Sequence, residues 1–371
     1  MKSVKSYSMA RSDWWKVMLV SICLTWTTTG LAASGSPESA MAEKMLIETL
    51  KNIQQLELDE AIALSDSLTK NYPDYRLAQL IHADLLSMRA GNFGLINQIH
   101  QANPRTVGRY KQEAEVRWRH AHSDENQANV TLAHSVLKVG YQPHVIVVNL
   151  AKSRLYLYQN NEGQLDLLTD YYISMGTAGG GKQREGDRKT PIGVYHITDW
   201  VPGERLADLF GVGALPLNYP NIWDQSLGRT GHGIWLHGTP SNTFSRPPQS
   251  SQGCVVLNNE EMSSLVAKYN VGLATPVVIL DEKVESVFFE AEKLAVLTEI
   301  NAWLVDQGQP FDWGKVSVYR YPSEEGLYYA TFPSVENDGH LVHQYWRRSH
   351  DGGWQLVLQT TDPVMVKTSL S

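Results

Sequence analysis

Tyr141-Gln142-Pro143-His144-Val145-Ile146-Val147-Val148-Asn149-Leu150 is the stretch at which the chain changes character. Ahead of it, apolar residues recur every three or four positions. Within it, β-branched residues run without a break behind a proline that resists helix continuation. Arg154-Leu155-Tyr156-Leu157-Tyr158-Gln159 follows as a second strand after a short turn. Asn160-Asn161-Glu162-Gly163 has hairpin chemistry, and a third strand is expected near Leu165 to Met175. Strands then alternate with Gly- and Pro-rich loops as far as Pro276-Val277-Val278-Ile279-Leu280, with helical character chiefly over Glu260 to Tyr269. Residues 142–282 therefore read as a β-rich domain.

On the N-terminal side, residues 38–138 read as helical, from spacings such as Met45, Leu46, Leu50, Ile53 and Leu56. The segment from Ala61 to Gly91 has the outline of one helical hairpin of the tetratricopeptide sort, and a plain helical bundle fits it equally. On the C-terminal side, a helical period returns over 284–307. Four short strands are then expected at Lys315–Tyr321, Leu327–Phe332, Leu341–Arg347 and Trp354–Gln359, separated by turn sequences. Residues 286–371 thus read as a small α+β accessory domain with no visible catalytic cluster, for which binding or packing is the expected role. The whole is a multi-domain α+β protein.

The 371 residues are 42% apolar and 19% charged, with 32 basic against 39 acidic side chains and a net charge of −7. That balance is a poor match for phosphate backbones, so no nucleic-acid partner is expected. The first residues carry Lys2, Lys5, Arg11 and Lys16, then an apolar stretch from Val17 to Trp26, then the small-residue end Leu31-Ala32-Ala33-Ser34. These are the three parts of a secretory signal over 1–33, to be cleaved near Ala33 or retained as an anchor, and they place the protein in the periplasm or cell envelope. Cleavage removes four bases and one acid and takes the net charge to −10. It also removes Cys23 and leaves Cys254 as the only thiol. An exposed idle thiol is disfavoured in an oxidising compartment, so Cys254 is either buried and inert or kept for chemistry.

Its surroundings are compatible with either reading. In Gly231-His232-Gly233-Ile234-Trp235-Leu236-His237-Gly238-Thr239-Pro240 a short strand delivers His237 to its end. After a loop, Ser250-Ser251-Gln252-Gly253-Cys254-Val255-Val256-Leu257 turns sharply and presents Cys254 at the start of another strand. A thiol needs a base to become a nucleophile, and a carbonyl under attack needs N–H donors for its oxyanion. Gly253 allows the turn that would aim its own N–H and that of Cys254 at one point. His237 beside Cys254 would stabilise the thiolate and lower the thiol pKa. His232 is the alternative base, in a Gly-rich turn. Ser251 is either a hydrogen-bonding member of the site or a turn-former.

The run His237-Gly238-Thr239 … Ser251-Gln252-Gly253-Cys254-Val255-Val256-Leu257 resembles the signature of the L,D-transpeptidase (YkuD-type) catalytic domain. Lys189-Thr190-Pro191-Ile192-Gly193-Val194-Tyr195 resembles a second motif of that family, and Ser174-Met175-Gly176 before a Gly-rich loop also fits. The resemblance spans about 144–281. It implies a Cys254/His237 acyl transferase that works on peptidoglycan stem peptides at the bond between an L-configured centre and D-alanine. A thioester would form and an amine would resolve it, whether a second stem peptide, a D-amino acid or a cell-wall-anchored protein. Resolution by water would make the enzyme an L,D-carboxypeptidase or amidase; a non-catalytic wall-binding protein is the remaining alternative. No metal or organic cofactor is implied. Gly253, Ser251 and Gly238 would shape the site, and Thr190, Tyr195 and Arg246 would contact substrate. Two departures stand out: the family commonly has His where Gln252 stands, and Arg where Val256 stands.

Other signals are weaker. Gly176-Thr177-Ala178-Gly179-Gly180-Gly181-Lys182-Gln183 nearly spells a phosphate loop but ends in Gln183 instead of Ser or Thr. His340, His343 and His350 read as solvated. The charged loop from Lys182 to Lys189 reads as solvated or as a rim for an anionic peptide. Ser241 to Ser250, with Phe244, Arg246, Pro247 and Pro248, is placed to wall one side of an acceptor groove.

Overall fold

The computed structural model describes residues 37–92, 101, 103–123, 127–281, 290–307, 311–337, 339–349 and 352–363. The expected signal over 1–33, residues 284–289 of the expected C-terminal helix, and His350 lie outside them.

Among the described residues five helices come first: α1 (Pro37–Gln54), α2 (Leu58–Asn71), α3 (Arg76–Arg89), α4 (Pro104–Ala121) and α5 (Gln127–Ser135). Ala42, Leu46, Ala61, Leu68, Leu77, Ala78 and Leu85 form one core with Met45, Leu50 and Ile53 packed against it, whereas Leu56, expected in the same stripe, lies beyond the end of α1 and is 89% exposed. Each large member of that stripe contributes about 1.5–3 kcal/mol by leaving water. Among the described residues no helix is long and apolar enough to cross a membrane.

The strands and later helices follow in chain order. They are β1 (Val136–Lys138), β2 (His144–Asn149), β3 (Arg154–Asn161), β4 (Gln164–Tyr172), β5 (Met175–Gly176), β6 (Gly193–His196), β7 (Val201–Pro202) and β8 (Gly213–Pro216). Next come α6 (Ile222–Ser226), β9 (Trp235–His237), β10 (Gln249–Ser251), β11 (Val255–Val256), α7 (Asn259–Ser263) and β12 (Pro276–Leu280). Last are α8 (Glu290–Asp306), β13 (Ser317–Arg320), β14 (Leu327–Pro333), β15 (His340–Arg348) and β16 (Trp354–Pro363).

A central sheet runs β4-β3-β2-β12-β6, with β2 and β12 parallel. The unbroken apolar run of β2 has a direct cause: both of its faces are covered. Ile146 and Val148 face a core shared with Leu236, Val255 and Leu257. Val145 and Val147 face the opposite way, against Tyr319, Tyr321 and Tyr345 of the C-terminal sheet. That sheet is ordered β1-β13-β14-β15-β16. The C-terminal segment therefore packs its sheet on the back of the central one.

Two sequence expectations change here. The helical segment was drawn to 138, yet β1 is the edge strand of the C-terminal sheet, paired antiparallel with β13. His343, read as solvated, is buried at 4% exposure and hydrogen-bonds the Tyr329 hydroxyl at 2.5 Å. Its imidazole also stacks on His196, with ring centroids 5.6 Å apart. The alternation along β15 turns His343 inward, which residue type alone does not show.

Candidate active site

A smaller sheet, β11-β9-β8-β7, carries the site. β9 and β11 are parallel neighbours, with Leu236 opposite Val255 and His237 opposite Val256. Parallel pairing brings the C-terminal end of β9, with His237, beside the strand that Cys254 opens. The Ser251-Gln252-Gly253 turn sets up that entry. Gly253 has φ +133°, and a Cβ there would lie 2.8 Å from the Lys189 carbonyl oxygen, so only glycine fits.

His237 is 3% exposed. Its Nδ1 lies 2.7 Å from the Gly238 carbonyl, which can only accept, so Nδ1 carries the proton and Nε2 the lone pair. The Phe210 ring packs edge-on against the imidazole at 5.1 Å. Burial, against the opposing pull of the Gly238 hydrogen bond and with a smaller push from the Arg246 charge, lowers the His237 pKa to about 4. His237 is thus a neutral, oriented base. Gly238 is needed for packing: a Cβ would strike Asn259 Oδ1, which accepts the N–H groups of Val212 and Thr239, each at 3.1 Å.

Cys254 is half-buried, and its thiol donates to the Gly233 carbonyl at 3.3 Å instead of to His237. Burial pushes its pKa up, and the Trp235 N–H, Lys182 and Arg246 only partly counter that. The expected lowering of the thiol pKa is therefore corrected. A neutral imidazole supplies no charge to hold a thiolate, so the pair rests as thiol and imidazole.

Ser251 closes the turn. Its Oγ donates to the Cys254 carbonyl at 2.6 Å and accepts the Gly253 N–H at 3.1 Å. The Gly253 N–H expected to serve an oxyanion is thus occupied. Two expected substrate contacts are also corrected. Thr190 is fully buried and accepts the Gly176 N–H at 2.9 Å; Tyr195 is 2% exposed in the core. Both brace the strand entry below the site. His232, the alternative base, is exposed beside Glu185.

Arg246 stands in the 241–250 loop. Its carbonyl is fixed by the Tyr172 hydroxyl and by Ser174 Oγ, each at 2.9 Å, while its guanidinium couples electrostatically to both Cys254 and His237. The charged loop is stapled instead of solvated at its base. Lys182 is 4% exposed and pairs with Asp187 at 2.9 Å, and Asp187 also accepts the N–H groups of Gln183, Arg184 and Lys189.

Residues that the sequence reading missed come from the helices. The Phe244 ring sits 5.1 Å from Tyr72 and 4.8 Å from Tyr75, and its N–H donates to the Asp74 carbonyl. Arg117 on α4 donates to Ser245 Oγ at 2.8 Å and lies 3.7 Å over the Tyr172 ring. Arg109 donates to the Gln249 carbonyl at 2.7 Å. The 241–250 loop is therefore pinned by α2–α4. Nothing local marks these partners; the surplus of Arg on α4 is the only signal. Among the described residues no cluster of three His, Cys, Asp or Glu is placed to hold a metal ion.

The fold is α+β, with His237 at the end of β9 and Cys254 immediately before β11, the parallel neighbour of β9. Residues 143–279 match the sequence model of the YkuD L,D-transpeptidase catalytic domain. No curated protein matches the chain. Among solved structures, the helical cell shape determining protein Pgp2 from Campylobacter jejuni is similar at 21% identity. The likeness covers 60% of this chain and 94% of that one, with a TM-score of 0.46. Bd1075 from Bdellovibrio bacteriovorus is similar at 19% identity over 62% of this chain and 98% of that one, with a TM-score of 0.43. An L,D-transpeptidase from Xylanimonas cellulosilytica is similar at 19% identity, covering 37% of this chain and 60% of that one, with a TM-score of 0.26.

Proposed function

We propose that the chain is a cysteine acyl transferase that acts on peptidoglycan stem peptides at the bond between an L-configured centre and D-alanine. The observation that supports this reading is the parallel pairing of β9 with β11, in which a Gly238-oriented His237 stands opposite Val256, two residues past Cys254. The Cys254 thiol rotates from the Gly233 carbonyl and gives its proton to His237 Nε2 as sulfur attacks the carbonyl carbon. The Cys254 N–H faces the developing oxyanion. The C–N bond then breaks, D-alanine leaves with the proton held by the imidazolium, and a thioester remains. An amine acceptor attacks that thioester, His237 takes the amine's proton, and the C–S bond breaks. The pinned 241–250 loop supports transfer over hydrolysis, because a held wall keeps a seat for the amine and excludes water.

The test is mass spectrometry of tetrapeptide muropeptide incubated with the protein, with and without an added amine acceptor. Exchanged or cross-linked product is the expected result. Tripeptide alone, with acceptor in large excess, means hydrolysis. The same reading takes residues 1–33 as an export signal. Envelope protein whose first residue lies near Ser34 is then expected on N-terminal sequencing.

A pH prediction follows from His237. Because its pKa is about 4, below the ordinary 6.5, the base stays unprotonated well into acid. The acid limb of kcat/KM is expected near pH 4, and a limb at 6.5 or above overturns the assignment. Alkylation of Cys254 by iodoacetamide is expected to be slow at neutral pH and to rise only above the ordinary thiol range.

A further inference from the structure

Phe210 lies in the loop of residues 203–212 between β7 and β8. It is half-buried and stands outside the buried cores of the described residues. Its ring is turned to the site instead: its centroid lies 4.9 Å from that of Trp235 and 5.1 Å from that of His237, edge-on to the imidazole at 72°. Its backbone reaches the same base. The Phe210 carbonyl accepts the Gly238 N–H at 3.1 Å, which the Gly213 carbonyl shares at 3.3 Å, and the Gly238 carbonyl in turn fixes His237 Nδ1. The loop is fastened where it must be for this. The Gly203 N–H closes it on the Val212 carbonyl at 2.9 Å. Asn259 Oδ1, at the start of α7, ties Val212 to Thr239 just past β9, and Asp208 Oδ1 accepts the Ser241 N–H at 3.1 Å. Gly211 has φ +62°, and a Cβ there would strike Asn259 Oδ1 and the Thr239 carbonyl, so the turn after Phe210 is pressed onto the exit of β9.

We propose that Phe210 is a positioning residue for the base: its ring hoods the His237 imidazole, keeps water from it and limits its rotation, on a loop that Asn259 fastens to the end of β9. This rests on the reading of His237 as the base, and it holds whether an amine or water resolves the thioester. A phenylalanine ring that supports no core spends its apolar area on what it touches, and here that is a group whose charged form needs water. Without the ring, water reaches the imidazole, the charged form gains, and the His237 pKa rises from about 4 towards its ordinary 6.5. The neighbouring charges do not supply this effect. Arg246, from the 241–250 loop, acts on His237 with or without Phe210. The residues opposite His237 on β8 and β11 are Ala214 and Val256, which carry no charge. Cys254, before β11, rests as a thiol, and Asp208 on the loop itself is held by the Ser241 N–H.

The test follows the His237 imidazole by NMR titration of the full chain in wild type, Phe210→Ala, Phe210→Val and Phe210→Leu, with the signal assigned by its loss in His237→Gln. No substrate is needed. The midpoint is expected to rise by at least about one pH unit in Phe210→Ala, by less in Phe210→Val, and to stay near wild type in Phe210→Leu, which keeps an apolar cover. Phe210→Val carries the comparison if Phe210→Ala does not fold. The neutral ring is expected to keep its proton on Nδ1 throughout, because the Phe210 carbonyl still holds Gly238. A second arm measures kcat and KM on tetrapeptide muropeptide against pH. The acid limb of kcat/KM is expected to move up with the NMR midpoint, and kcat to fall by a larger factor than KM rises. A midpoint unchanged in folded Phe210→Ala or Phe210→Val overturns the hood, and so does an equal rise in Phe210→Leu, where the cover is kept. A midpoint that rises as expected while the acid limb stays in place leaves the hood standing and overturns His237 as the base.

Discussion

Cys254→Ala protein is expected to consume tetrapeptide muropeptide at least about 10⁴-fold more slowly than wild type, because without sulfur no thioester can form. The fold is expected to survive. Cys254 is half-buried at the mouth of a turn, and that turn is held by Ser251 and by the Gly253 backbone, not by the thiol. A thermal scan should show a Tm within a few degrees of wild type. Muropeptide turnover within tenfold of wild type would overturn the mechanism. A large fall in Tm would instead identify Cys254 as a core residue. His237→Ala is expected to lose nearly as much activity, since the alternative base, His232, is exposed beside Glu185.

The second large effect is on stability. Arg117 is 5% exposed, with Glu113 at 3.3 Å, Glu43 at 3.2 Å, and Ser245 and Tyr172 against its guanidinium. Glu113 is fully buried. Burial pushes the Glu113 pKa up and Arg117 opposes this; for Glu43, Arg154 and Arg117 outweigh burial and hold it at about 2. Arg117→Ala would strand buried carboxylates, at a cost of about 3–5 kcal/mol. That corresponds to a fall in Tm on the order of 5–10 °C. Arg117→Met combined with Glu113→Gln is expected to recover at least half of the loss, because it removes the stranded charge and refills the volume. A single-variant loss under about 1 kcal/mol in thermal or urea unfolding would show that the network carries little. The Glu43 carboxylate adds a sign. Its folded pKa lies below the ordinary 4.5, so its contribution is present above pH 4.5 and is lost as pH falls towards 2.

The position of Val256 shows how the helices enter the site. The family commonly has arginine there, and here a buried valine shares a small space with Arg117 and Arg246. Positive charge reaches that space from α4 and from the loop. No reading of the Cys254 motif could supply this, since Arg117 and Ser245 are 128 positions apart, and Arg109 and Gln249 are 140 apart.

The α+β class, the run of helices before residue 136, the strand that ends on His237 and the turn that presents Cys254 were all legible in the sequence. Each is a local matter of spacing, β-branching or glycine at a turn, and Gly253 with its φ of +133° is the sharpest case. The tertiary structure alone decided which polar groups remain free. Thr190 and Tyr195 went into the core, Ser251 took the Gly253 N–H, and burial left Cys254 and His237 uncharged. It also decided that α3 and α4 bring arginines to the loop beside the thiol. Desolvation and proximity depend on what packs over a residue from distant parts of the chain, and that is set when the sheets and helices close on one another.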